Sequence, residues 1–130
     1  MPDATGLELL AGDLRDRGPE WVKETVYFRE QATIEIEPSK IRETLAFLAD
    51  KGYSFLSSVH GVDYFPDEPR LGVHYQLLDM RRVDRICVKL RVSTANPHVL
   101  SVVDDFPTAD HQEREVFDMF GVIFDGHPDL

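Results

Sequence analysis

The chain has 130 residues, of which 24 are acidic and 14 basic, so its formal net charge is −10 with the histidines neutral. A chain of this length suits one domain that builds its own core, and its charge disfavours nucleic acid and anionic membrane surfaces as direct partners. Its single cysteine, Cys87, excludes an internal disulfide, and also a four-cysteine zinc site or an iron–sulfur cluster held by this chain alone.

The longest run without a charged residue, Val92 to Val103, contains Pro97 and falls short of the ~20 apolar residues of a membrane span. Asp3 and Glu8 precede the first basic residue, Arg15, the reverse of a signal or transit peptide, so the chain reads as cytoplasmic. Most of the charge lies late: residues 101–130 hold eight acids against the one base Arg114. Such a segment suits a basic partner surface or a solvated face.

Thr5-x-x-Glu8 has the form of a capping box, and Leu7, Leu10, Ala11 and Leu14 follow at helical spacing until Gly18-Pro19 stops the helix. Trp21 to Glu37 changes period. Val26 and Phe28, then Ala32, Ile34 and Ile36, alternate with polar residues as in two half-buried strands joined by a turn at Arg29-Glu30-Gln31. Pro38 suits a first helical turn, Ile41, Leu45 and Leu48 form one apolar stripe, and Gly52 fits the C-terminal cap of this second helix.

Tyr53 to Phe65 is rich in aromatic and β-branched residues and ends at Pro66-Asp67-Glu68-Pro69, which gives a third strand. Leu71, Val73, Tyr75 and Leu77, then Ile86, Val88, Leu90 and Val92, alternate on either side of Arg81 to Asp84, a hairpin whose opposite face carries Cys87 as an inert filler. Asn96-Pro97 breaks the last strand, and Ala109 to Phe120 forms a third helix before Gly121. The order α-β-β-α-β-β-β-α predicts an α+β two-layer sandwich, with a mixed, mostly antiparallel sheet of about five strands and its helices on one face.

Phosphate-cradling glycine motifs and a nucleophile elbow are missing, and along a strand His60 lies with Ser58 and away from Ser57, a weak basis for nucleophilic catalysis. The dense polar cluster is His111, Glu113, Glu115, Asp118, Asp125, His127 and Asp129. His111-x-Glu113 lacks the Cys-x-x-Cys half of a zinc deaminase site, and no Glu-x-x-His motif of a di-iron helix occurs. On a helix, Arg114 and Asp118 are four apart and can pair, which makes an ion-paired structural helix the simpler reading. The residues beyond it, Phe120 to Pro128, set aromatics among glycines and need cover from this domain's core or from another protein.

Glu113-Arg114-Glu115-Val116-Phe117-Asp118-Met119-Phe120-Gly121-Val122-Ile123-Phe124-Asp125-Gly126-His127-Pro128-Asp129-Leu130 resembles the signature of the C subunit of NADH:quinone oxidoreductase, respiratory complex I. The resemblance extends over roughly residues 39–130, through Tyr53-Ser54-Phe55-Leu56 to Val62-Asp63-Tyr64, Tyr75-Gln76-Leu77-Leu78 and Lys89-Leu90-Arg91-Val92. Two features depart from the family. It usually carries an aromatic, commonly Trp, before the E-R-E triplet where this chain has His111, and it usually continues past the H-P-x-L string with an arginine-rich run, whereas this sequence ends at Leu130.

The resemblance implies a non-catalytic, peripheral-arm subunit without a membrane span, at the cytoplasmic face of the cell membrane, which scaffolds the hydrogenase-related D subunit and the B subunit. It implies no cofactor on this chain, with NADH, FMN, iron–sulfur clusters and quinone handled elsewhere in the complex. Docking is expected at the signature: Glu113, Arg114, Glu115, Asp118, Phe120, Gly121, Phe124, Asp125, Gly126, His127, Pro128 and Leu130. Phe124 would anchor the partner, Asp125 and Asp129 would steer it, Pro128 would fix the chain direction and His127 would donate a hydrogen bond. Two alternatives remain at the level of sequence. One is a homologous subunit of a membrane-bound hydrogenase or formate hydrogenlyase, and the other is a metal-dependent hydrolase using His111, Glu113, His127 and Asp129.

Overall fold

A computed structural model describes residues 3–130. The chain runs through α1 (Ala4–Arg17), the hairpin β1 (Val22–Phe28) and β2 (Gln31–Ile36), a 3₁₀ turn (Pro38–Lys40), and α2 (Ile41–Asp50). It then forms β3 (Phe55–Asp63), β4 (Leu71–Asp79), β5 (Asp84–Val92), β6 (His98–Leu100), α3 (Ala109–Phe120) and β7 (Ile123–Asp125). The predicted α+β fold with five strands in its main sheet is therefore the observed one.

The main sheet has the order β1-β2-β5-β4-β3, and every neighbouring pair is antiparallel except β2 with β5. Alternation along each strand sorts the residues into two faces. Ile34, Val88, Tyr75 and Val59 lie side by side in one row, and this face is buried. Leu7, Ala11 and Leu14 of α1, Ile41, Leu45 and Leu48 of α2, and Ala109 and Val116 of α3 join the same core. Each helix thus contributes one apolar stripe to one face of the sheet. The Trp21 indole N–H donates to Thr44 Oγ1 (2.8 Å), and the Thr44 hydroxyl donates to the Lys40 carbonyl (2.7 Å), so this polar pair enters the core with its hydrogen bonds made.

Three local expectations are corrected. The cap of α1 is Asp3, whose carboxylate accepts from the Gly6 N–H at 2.7 Å, rather than Thr5, which already lies inside the helix. Val26 and Phe28 alternate as read, but they point to the side without helices and stand 42% and 63% exposed, because β1 is an edge strand. The chain also forms a second, two-stranded parallel sheet from β6 and β7, each only three residues long. Periodicity cannot mark a strand of that length.

At the β1–β2 turn, Arg29 and Glu30 both take positive φ (51° and 61°), as a hairpin turn matched to strand twist requires. Neither residue suits that region, where a side chain costs ~1–2 kcal/mol. Replacing Arg29-Glu30 with Asn-Gly is expected to raise stability by ~1 kcal/mol, measured as a higher denaturant midpoint with an unchanged slope.

Candidate functional site

The signature segment begins on α3, and its first residue faces inward. Glu113 is fully buried, and its carboxylate accepts from the Ser101 hydroxyl at 2.6 Å and from the Val102 N–H at 3.0 Å. Both partners follow β6, so a charged side chain joins the helix to the segment before it. Burial pushes the Glu113 carboxyl above the ordinary carboxylate range, while the hydrogen bonds from Ser101 and Val102 oppose that rise. The Tyr75 hydroxyl is buried nearby without a hydrogen-bond partner among the described residues; burial and the Glu113 charge raise its pKa well above the usual tyrosine value.

The end of the segment is fastened to the start of the same helix. Gly121 (φ 77°) caps α3 in the left-handed conformation, with its N–H on the Phe117 carbonyl. The chain then enters β7, where the Ile123 N–H bonds the Pro97 carbonyl (2.7 Å) and the Asp125 carbonyl accepts from the Ser101 N–H (2.8 Å). Gly126 (φ 89°) turns the backbone so that the His127 ring is covered. His127 Nδ1 accepts from the Asp129 N–H (3.0 Å), so its proton is on Nε2, which donates to the Asp110 carbonyl (3.0 Å). Asp110 Oδ1 also lies 2.9 Å from Nε2 but is not aligned as the acceptor.

These contacts revise the expected roles of several signature residues. Phe124 is 1% exposed and belongs to this domain's core, so its ring has no free face for a partner. The donor of His127 is spent inside the chain. Phe120 is half-buried, with its ring resting on Gly61 of β3, where a Cβ would collide with it. Arg114 and Asp118 are exposed and form no ion pair with each other among the described residues; at four positions apart their long side chains gain little from pairing in water. Glu115, Asp118, Gly121, Asp125, Gly126, Pro128, Asp129 and Leu130 are the exposed remainder, together with Met119 at 76% exposure. Asp125 accepts from or pairs with His98 Nδ1 at 2.9 Å, across the β6–β7 sheet.

The four residues of the hydrolase alternative do not converge. His111 is exposed, Glu113 faces Ser101, His127 faces Asp110, and Asp129 meets His127 through its backbone; no group of three or more metal-type ligands is arranged to hold an ion among the described residues. Ser101, Asp110 and Gln112 are the participants that sequence reasoning missed. Gln112 stands beside the family's aromatic position, and its side-chain oxygen accepts from the Val59 N–H, tying α3 to β3. Spacing gave no signal for these links, because Val59 is 53 residues away and Ser101 lies beyond a helix N-terminus.

Removing the Glu113 side chain strands the Val102 N–H, so Glu113→Ala is expected to cost ~1–3 kcal/mol beyond the lost packing. Glu113→Gln keeps an acceptor for Val102 and should cost less. The sign of the pH effect follows from the raised pKa. The folded chain holds the Glu113 proton more tightly than the unfolded one, so this stabilisation is complete below the unfolded value and lost as pH rises through the folded value. Denaturant midpoints taken across that range should fall for the parent and stay flatter for Glu113→Gln.

The sequence and the fold both have relatives. Residues 34–130 match the model of the family described as respiratory-chain NADH dehydrogenase, 30 Kd subunit. The C subunit of the NADH-quinone oxidoreductase of Roseiflexus sp. (strain RS-1) is 38% identical, with all of this chain and 74% of that protein covered. Its counterpart in Roseiflexus castenholzii is 43% identical over 79% of this chain and 61% of that protein, and the one in Salinispora tropica is 44% identical over 85% and 47%. The chain thus spans between about half and three quarters of the length of these relatives. Among solved structures, the trypsin-resistant fragment (1-134) of Nqo5 superposes with a TM-score of 0.83 at 28% identity, covering 95% of this chain and 98% of the fragment. A chain of the membrane-bound sulfane sulfur reductase, an archaeal respiratory membrane complex, matches with a TM-score of 0.75 at 25% identity, over 92% of this chain and 71% of that one. A family match that spans about three quarters of the chain, ending on the segment that fastens α3 to β7, makes this protein a member of the respiratory-chain NADH dehydrogenase 30 kDa subunit family.

Proposed function

We propose that the chain acts as a non-catalytic, peripheral-arm subunit of an NADH:quinone oxidoreductase, scaffolding the D and B subunits at the cytoplasmic face of the membrane while NADH, FMN, iron–sulfur clusters and quinone are handled by other chains. Family membership carries this reading. No helix of the described residues is long and apolar enough to cross a membrane, which fits a peripheral place.

The docking role falls on the outer side of the signature. Its inner residues, Glu113, Phe124 and His127, hold the segment's shape, and its outer residues Glu115, Asp118, Asp125 and Asp129 present carboxylates to a basic partner, with Met119, Pro128 and Leu130 as the apolar contacts among them. Charges on such a rim act mainly on encounter rate and specificity and are screened by salt. A second reading places the same fold in a membrane-bound hydrogenase or formate hydrogenlyase; the match to a chain of the sulfane sulfur reductase supports it by putting the fold in a respiratory membrane complex other than an NADH-quinone oxidoreductase.

Co-purification with a tag on this chain tests the proposal: D- and B-type subunits should be recovered, and a flavin-free partner set carrying a nickel-site chain would favour the second reading. With the isolated D-type partner, the combined Asp118→Lys and Asp125→Lys variant should bind at least tenfold more weakly at low salt, with a smaller difference at high salt, while Phe124→Ala should instead lower stability by ~3–5 kcal/mol. Parent-like binding by the charge-reversed variant would place the docking surface elsewhere.

A further inference from the structure

The face of the main sheet that the helices leave uncovered carries a groove which the signature does not use. The register sets Phe28 of β1 beside Gln31 of β2 at one end of a row, and Arg85 of β5, Leu78 of β4 and Phe55 of β3 at the other. The next row holds Val26, Thr33, Cys87, Gln76 and Ser58. Between the rows lies a depression of about 400 Å³ lined by Gln31, Ser58, Gln76, Leu78, Arg85 and Cys87. Phe28 and Phe55, 63% and 45% exposed, bound the row from the two edge strands, and Val26 adds to the first edge.

Charge distinguishes this groove from an ordinary solvated sheet face. One row further on, Lys89 is already paired with Glu35 at 3.6 Å. At the hairpin, Arg82 is paired with Asp79 (2.7 Å) and lies 3.8 Å from Asp84. Arg85 is exposed, and among the described residues its side chain has no ion pair or hydrogen bond. Arg29 stands over the Phe28 ring at the groove's outer end, 5.2 Å from its centroid, with Glu30 beside it in the turn. In a chain of net charge −10, an unpaired guanidinium between two exposed phenylalanines selects a particular kind of occupant. Cys87 on the floor is no reactive group, since burial pushes its thiol up to about 11.

We infer that this groove is a second docking surface, and that its occupant is a short extended segment from another chain of the complex, with a carboxylate set between apolar side chains. The carboxylate pairs with Arg85, and its apolar neighbours cover Phe28 on one side and Leu78 with Phe55 on the other. A second copy of this chain fits poorly, because it brings two chains of −10 together. The inference rests on the reading of the chain as one part of a larger complex, but it concerns a different face from the signature.

The test places a photo-crosslinking p-benzoylphenylalanine at Gln31 in the full chain, expressed in its own cells, and maps the attached peptide by mass spectrometry after purification of the tagged chain. The expected result is a crosslink to one segment of another protein of the complex, with Asp or Glu between apolar residues. Its yield should fall at least tenfold in Arg85→Glu and much less in Arg85→Lys, with the denaturant midpoint of either variant unchanged. If the complex co-purifies but the crosslink is missing, goes to a second copy, reaches a segment without a carboxylate, or persists in Arg85→Glu, the groove inference is overturned while the assembly reading stands. Failure of the chain to co-purify with any other protein of such a complex overturns both.

Discussion

A carboxylate with no exposure to solvent governs the second half of this molecule. Glu113 sits on the core side of α3, where an apolar residue would be the simple choice, and its desolvation is offset by the Ser101 hydroxyl and the Val102 N–H. Those two donors belong to the chain just after β6. The β6 strand in turn pairs with β7, and β7 leads to His127, whose ring returns to Asp110 at the beginning of the same helix. The result is a closed loop of contacts in which helix, short sheet and chain end fix one another's positions. Apolar packing alone would press these elements together without setting which backbone amide meets which residue; the hydrogen-bonded carboxylate sets that register.

This arrangement gives the family signature a physical meaning with two sides. Glu113, Gly121, Phe124, Gly126 and His127 answer local demands: a buried acceptor, a left-handed helix cap, a core aromatic, a turn and an inward ring. Glu115, Asp118, Asp125 and Asp129 lie on the outer side, where carboxylates cost nothing to hydrate. The inner set holds the outer set in one geometry. Preorganisation of that kind reduces the ordering cost of association, which a loose acidic tail would have to meet on binding.

The main elements were legible because long segments repeat their pattern. Leu71 to Leu77 and Ile86 to Val92 alternate strictly, and α3 lies between the residues predicted for it, Ala109 and Phe120. The site was less legible, for physical reasons that differ by residue. Phe124 followed by Asp125 looks the same in sequence whether the ring is covered by its own domain or by a partner. His127 reads as a free donor until the fold brings Asp110 to it across 17 positions. Glu113 reads as one more surface acid of a charged helix, since nothing in the spacing reveals that Ser101 and Val102 stand beneath it. The exposed Val26 and Phe28 make the complementary case: their alternation was correctly read, but which of the two faces carries the helices is decided by topology, with β1 at the sheet edge.

The central claim is that the Glu113 carboxylate couples β6, β7 and the chain end into one cooperative unit, distinct from the β4–β5 hairpin. Amide hydrogen exchange on the full chain, parent against Glu113→Ala, tests it most directly. The account predicts that the amides of Ser101, Val102, Ile123 and His127 lose protection together, while those within β4 and β5 keep theirs. Unchanged protection at those four amides, or a loss confined to Val102 alone, would contradict it.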